Sequence, residues 1–258
     1  MIQTITLIGA GNVAHNLGHT FVAAGFNVVE VYSRKLNNAK ELAEKLGAQF
    51  TNTFLEINQK SDLYVIASTD NAIEEIASQL NLGNKLVVHT SGSVAIDFLK
   101  NASSNWGSFY PLQTFTKDYQ ADFTEIPICI EANDPENLKT LLELAQKLSN
   151  KVIELSSEQR QKLHLAAVFV SNFANYMQAI GQNLCESQGV DFDLLKPLIK
   201  EVFDKNLKGK AIDNQTGPAL RGDSFTMNKH LDLLKDQEEL SSLYQLISNM
   251  IKNRNLGN

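Results

Sequence analysis

Cysteine is scarce in this sequence, and basic residues form no cluster. The two cysteines, Cys129 and Cys185, fall in no C-x-x-C and in no spacing that suits a metal. Neither a disulfide framework nor a metal centre is expected, and both read as reduced thiols of a cytoplasmic protein. The formal net charge is −6 with no basic stripe, which argues against nucleic acid as a partner. No apolar run is long enough to span a bilayer. The most apolar stretch, Leu163 to Phe173, is interrupted by His164, Ser171 and Asn172, so no membrane partner is expected either. The chain opens Met1-Ile2-Gln3 and enters a strand pattern at once, so no signal peptide is expected. Internal repeats and low-complexity linkers are missing too. What remains is 258 residues, 43% hydrophobic and 20% charged, enough for one long or two smaller globular domains.

The organising stretch is Ile5 to Ala14, ITLIGAGNVA. A β-branched run suits a buried parallel strand. It turns at Gly9-Ala10-Gly11-Asn12-Val13-Ala14, a G-x-G-x-x-A fingerprint. Gly9 allows the tight turn, Gly11 admits a pyrophosphate to the backbone, and Ala14 lets the next helix pack close. That helix, predicted over Val13 to Ala24, aims its free N–H groups at the phosphates. A second strand, Asn27 to Tyr32, ends in Ser33-Arg34. A hydroxyl followed by a guanidinium suits a ribose 2′-phosphate, and so NADP(H) rather than NAD(H). The alternative is a solvated loop charge.

Further strands are predicted at Leu63 to Ala67 and Leu86 to His89. They lead into Ser68-Thr69-Asp70 and Thr90-Ser91-Gly92-Ser93, and Asp70 or Asn71 is the expected cap of the helix that follows. Strands alternating with helices indicate a doubly wound, mostly parallel sheet, with ligands beyond the carboxyl ends of its strands. Three more strands follow, at Gly107 to Tyr110, Ile126 to Glu131 and Val152 to Leu155, and Pro111-Leu112-Gln113-Thr114 is a candidate rim loop.

From Ser156 only helical patterns occur, which divides the chain into an α/β domain, 1–155, and an all-α domain, 156–258. Ser156 to Gln159 forms a capping box. It starts a helix of about thirty residues that ends at Gly189, with an apolar, buried middle over Leu165 to Val170. At 3.6 residues per turn His164, Ser171, Asn175, Gln178 and Gln182 share one stripe, which faces a cleft, an interface or solvent. Pro197 either kinks or restarts the next helix. Arg221 and Asp223 sit in a Gly/Pro turn before a Ser224 cap, where Arg221 presents charge to an anionic substrate or merely stiffens a junction. His230 reads as structural.

The fingerprint, the Ser-Arg pair, VVHTSGS, FYPLQTF, HLAAVFVSN and TGPALRGD together resemble the Rossmann-like NADP oxidoreductases with a helical C-terminal domain of unassigned function. That group is similar to the 6-phosphogluconate and β-hydroxyacid dehydrogenases, ketopantoate reductase and pyrroline-5-carboxylate reductase. The resemblance implies two domains closing over NADP(H) and helical domains that build a homodimer. Carried over by position, Gly9, Gly11, Asn12, Val13 and Ala14 hold the pyrophosphate and Ser33 and Arg34 the 2′-phosphate. Ser68 and Thr69 line the nicotinamide side, and Ser91, Gly92 and Ser93 face substrate.

The hydroxyacid dehydrogenases place a catalytic Lys one turn before an Asn. If Asn172 is that Asn, the Lys position is Val168, and the donor is missing. His164 is the candidate replacement, because imidazole titrates near neutrality. The expected function is NADPH-dependent reduction of a carbonyl or imine of a small anionic molecule. His164 is the expected donor, Asn172 orients, and Arg221 is an optional anion clamp. Two alternatives are a non-catalytic NADP(H)-binding sensor or assembly protein, and reduction of another redox cofactor such as a deazaflavin.

Overall fold

The computed structural model describes residues 2–117 and 121–253; Met1 and the polar tail lie outside the described residues. The chain divides into two compact units, Met1–Met177 and Gln178–Asn258.

In the first unit β1 (Thr4–Ile8), α1 (Asn12–Ala23), β2 (Asn27–Tyr32), α2 (Leu36–Leu46) and β3 (Gln49–Thr51) form one winding. The other holds β4 (Leu63–Ile66), α3 (Asp70–Gln79), β5 (Leu86–His89) and β6 (Asn105–Pro111). The sheet is completed by β7 (Ile128–Ala132), α4 (Pro135–Gln146) and β8 (Val152–Glu154). Its order is β3-β2-β1-β4-β5-β6-β7-β8. The strands from β1 to β6 are parallel, β7 runs antiparallel to β6, and β8 is parallel to β7. The expected α/β sheet is present, and order reverses between β1 and β4.

Successive side chains of a strand point to opposite faces, which explains the unbroken apolar runs. Leu63 and Val65 join Leu17, Phe21 and Leu42 beneath α1 and α2. Tyr64 and Ile66 join Ile73 and Ile76 beneath α3. The cap of α3 is Thr69, which accepts no side-chain bond, and Asp70 is already helical. The carboxylate expected to cap is therefore free for another role.

Helix α5 (Ser157–Ala167) starts from the predicted capping box: Gln159 N–H donates to Ser156 Oγ and the Ser156 N–H to Gln159 Oε1. It continues through a π-helical turn, Val168–Phe173, into α6 (Ala174–Glu186). The length matches the expectation, but the π turn does not. It widens the spiral locally, so a stripe counted at 3.6 residues per turn does not carry across it. The middle is also not buried: Phe169 is 59% and Val170 72% exposed in the single chain. An apolar sequence is buried only where something covers it, and periodicity cannot say whether the cover lies on the same chain.

The anchor of α5 is Arg160, 0% exposed, which pairs with Glu131 of β7. Glu131 also accepts from the Ser157 N–H (2.8 Å) and Ser157 Oγ (2.7 Å). The other guanidinium nitrogen donates to the Val94 carbonyl (2.5 Å) and to Ser157 Oγ (3.1 Å).

The second unit contains α7 (Lys196–Lys208), α8 (Pro218–Arg221), α9 (Ser224–Leu233) and α10 (Glu238–Asn253). Pro197 lies in the first turn of α7, so it restarts a helix. The cap of α9 is Asp223 rather than Ser224: its carboxylate accepts from the Thr226 N–H at 3.0 Å, because a carboxylate outbids a hydroxyl for N–H groups at a positive helix end. His230 Nδ1 lies 2.8 Å from Tyr244 Oη of α10.

Breaking a buried ion pair from one side costs about 3–5 kcal/mol. Arg160→Leu and Glu131→Gln should each destabilise the full chain by that order in urea unfolding. The double variant should lose clearly less than the sum; small, additive losses would remove the pair from this role.

Candidate active site

The turn after β1 requires its first glycine. Gly9 has φ +128°, and a Cβ there would lie 2.0 Å from the Ala67 carbonyl oxygen. The exits of β1 and β4 therefore touch at the switch point. Gly11 is the opposite case: a Cβ there would meet nothing within 4 Å. Asn12, Val13 and Ala14 open α1 with N–H groups that lack intrahelical acceptors, and no side chain caps them. Such an end suits a phosphate. Asn12's own side chain is turned away. Its Nδ2 donates to the Phe115 carbonyl (2.9 Å), and Asn16 Nδ2 donates to the Thr116 carbonyl (2.9 Å). The loop 112–117 is thus tied across the first turns of α1.

At the far end Ser33 is half-buried and Arg34 exposed. Among the described residues Arg34 pairs with no carboxylate. Beside it Lys35 is the cap position of α2 and makes no side-chain capping bond. Glu30 is buried and accepts from the Asn58 N–H (2.8 Å), so it does not serve a ribose hydroxyl. These residues fit a phosphorylated ribose.

Beyond β4, Ser68 is half-buried and Thr69 exposed. Beyond β5, the segment 89–96 is a locked loop. Ser91 Oγ accepts from the Ser93 and Val94 N–H groups, 3.0 Å each, which fixes the shape of the loop. Ser93 is exposed and donates to Asp70. Gly92 packs beneath His164, where a Cβ would lie 2.6 Å from the imidazole. His164 is half-buried, with Nδ1 2.9 Å from Tyr110 Oη at the end of β6. Burial pushes the Tyr110 hydroxyl up to about 12. On the π turn Ser171 Oγ meets Thr114 Oγ1 of the rim loop at 3.0 Å, and Asn172 is exposed. Arg221 belongs to the second unit, exposed at the end of α8 and without an ion pair among the described residues.

Tyr110, His89 and Asp70 were not singled out as site residues in the sequence. All three stand at or just past the carboxyl end of a strand, the rule that picked out Ser91 to Ser93. His89 is fully buried; its Nδ1 accepts from the Ser91 N–H (3.2 Å) and its Nε2 finds no partner. Burial, then the Arg160 charge, lowers its pKa to about 3. Among the described residues no His, Cys, Asp and Glu side chains gather as a metal site, and no helix is long and apolar enough to cross a membrane.

A glycine turn before an uncapped helix start, an Arg that pairs with no carboxylate among the described residues and a polar rim at the strand ends suit a dinucleotide-dependent Rossmann oxidoreductase. Residues 4–92 match the family described as NADP oxidoreductase, coenzyme F420-dependent, and residues 126–251 match a domain of unknown function, DUF2520. A crystal structure of a putative NADP oxidoreductase from Bacteroides fragilis shares 39% identity over 98% of both chains, with a TM-score of 0.92. The chain belongs to this family of NADP oxidoreductases, and NADP(H) is its cofactor. Two more distant structures share the fold. An imine reductase from Myxococcus stipitatus, in complex with NADP+, has 16% identity, covers 97% of this chain and 93% of its own, and has a TM-score of 0.66. A pyrroline-5-carboxylate reductase from Coxiella burnetii has 20% identity, 98% and 97% coverage and a TM-score of 0.59. No curated protein matches the chain.

His89 makes stability pH-dependent in a set direction. The unfolded chain takes up a proton near the ordinary 6.5, whereas the folded site refuses it down to about 3. Stability is therefore lost as pH falls through that window, at about 1.4 kcal/mol per unit of difference. Unfolding free energies between pH 6.5 and 5 should fall more steeply in wild type than in His89→Leu; equal slopes would contradict this.

Proposed function

We propose that the chain reduces a carbonyl or imine of a small molecule with NADPH. The observation that carries this reading is the Tyr110–His164 hydrogen bond over Gly92, beside the exits of β4 and β5. Gly9 to Ala14 hold the pyrophosphate, Ser33 and Arg34 the 2′-phosphate, and Ser68 and Thr69 the nicotinamide side. When bound, NADPH supplies the hydride. His164 delivers the proton that neutralises the developing alkoxide or amine anion, in place of the Lys that Val168 does not provide. Tyr110 holds Nδ1 and keeps its own proton, so that Nε2 is the delivering atom. Asn172 orients the substrate, and the Ser91–Ser93 loop faces it. The anionic character expected of the substrate rests on Arg221 alone. The description of the N-terminal family supports adding a deazaflavin to the electron acceptors tried.

Thermal unfolding and turnover test this together. A ligand at about a hundred times its Kd stabilises by roughly 2.7 kcal/mol. NADPH should raise the unfolding temperature of wild type, His164→Ala and Tyr110→Phe, but much less that of Arg34→Ala. On a panel of cyclic imines and ketones, His164→Ala should lower kcat by about 10²–10⁴, and Tyr110→Phe by less. Cofactor shifts without turnover of any panel member would favour the sensor reading.

We also propose that the chain works as a cytoplasmic homodimer. Among the described residues beyond 160 the only buried apolar side chains are Ala219 and Leu234. On α7, Leu198 is 60% and Val202 47% exposed, one turn apart on a single face. A patch of this kind on a water-borne chain calls for a cover, and a second copy supplies the same surface by two-fold symmetry. Sedimentation should give twice the monomer mass at micromolar concentration, and Leu198→Glu with Val202→Glu should give monomers. A monomeric wild type would sink the proposal.

A further inference from the structure

Where the exits of β4, β5 and β6 meet, the rim segments carry a single charged residue, Asp70. Asp70 is exposed, directly after Ser68 and Thr69 in sequence. One of its carboxylate oxygens accepts the Ser93 hydroxyl, which fixes the side chain against the β5 loop. Among the described residues it pairs with no Lys, Arg or His. The rim segments 68–71, 90–95 and 110–114 contain no Lys or Arg. Arg160, whose charge also reaches His89 and Tyr110, is wholly buried and matched by Glu131. Asp70's charge reaches both neighbouring groups: it opposes proton loss from Tyr110 and favours protonation of His89.

We propose that Asp70, held by Ser93, is the counter-charge for a positively charged nitrogen at or beside the reacting carbon of the substrate. Three substrate classes meet this carboxylate differently. An anion is repelled. A neutral molecule displaces water from the carboxylate and offers at most a weak donor, which leaves a desolvated charge. A protonated imine or an ammonium group replaces that water with an opposite charge and a charge-assisted hydrogen bond. Ser93 uses its hydroxyl proton on one oxygen, so the other remains as acceptor. This inference rests on the reductase reading for the word substrate, but the recognition it describes is a binding event and is tested as one.

The test uses the full chain saturated with NADP+, with pyrrolidine (a secondary ammonium at neutral pH), cyclopentanol and cyclopentanecarboxylate as probes in calorimetric titration. Pyrrolidine should bind at least tenfold more tightly than either of the others. Asp70→Asn should remove at least tenfold of that affinity and leave cyclopentanol and NADP+ where they were. Ser93→Ala should remove a smaller part. Equal binding of pyrrolidine and cyclopentanol, a preference for the carboxylate, or no binding of pyrrolidine overturns the proposal. So does an Asp70→Asn variant that loses NADP+ as much as the amine, since the carboxylate would then serve the cationic nicotinamide ring. The two readings fail separately. An amine preference without turnover of any imine or ketone keeps the role of Asp70 and removes the reductase. Ketone turnover without an amine preference does the reverse.

Discussion

Arg160 is fully buried beside Glu131 of β7, and three segments that are distant in sequence meet on it. Glu131 belongs to β7, Val94 to the loop after β5, and Ser157 to the first turn of α5. Both terminal nitrogens of the buried guanidinium find protein acceptors while its Nε–H finds none, and a planar fork meets those acceptors only in a fixed geometry. Ser157 reinforces the node, because its hydroxyl also accepts from the Ile96 N–H at 3.2 Å. Where His164 stands relative to Gly92 therefore follows from a bond network about one helical turn away from it. The low pKa of His89 has part of its origin here too, since the same guanidinium disfavours a second positive charge.

The cofactor end works by omission. Gly9 lacks a Cβ because the Ala67 carbonyl occupies that space, whereas Gly11 lacks one with nothing in the way. The first glycine serves the fold and the second leaves room for a ligand. Similarly, α1 and α2 both begin without side-chain caps, while α4, α5 and α9 are capped by Asp134, Ser156 and Asp223. The starts of α3, α7 and α8 are uncapped as well, but only those of α1 and α2 follow the glycine fingerprint and the Ser33-Arg34 pair.

Much of this is legible in one dimension, and the parts that are not share a cause. The fingerprint, the strand runs, the capping box and the Gly189 stop are local signals, so the turn at Gly9, the burial of Ala14 and the Ser156 cap can be read directly. Arg160 cannot. Between Gln159 and Gln161 it reads as a surface cation, and only the register of β7 reveals its partner. The π turn has no compositional marker at Val168–Phe173, and a stripe counted at constant pitch misplaces whatever follows it. The apolar stretch around Phe169 shows the same limit for burial. Tyr110 was within reach, since FYPLQTF was recognised as a motif, but its role depends on a histidine 54 residues away.

The reversal of β7 has a metrical consequence. Because β7 and β8 run against the other strands, the chain leaves the sheet at Glu154 heading away from the rim, and α5 climbs back toward it. It starts at Ser157, level with the paired Ser108 and Glu131, and reaches Tyr110 at His164. Seven residues of helix rise about 10 Å, while two residues of strand rise about 7 Å, so the helix ascends at a slant to β6. The height of the imidazole above the sheet is thus set by counting, two turns from a fixed datum. Any one-residue insertion between Ser157 and His164 would swing the ring off the rim by about 100° of helix rotation, whatever residue was inserted. The length of that interval does as much to place the imidazole beside Tyr110 and Gly92 as the choice of histidine at its end.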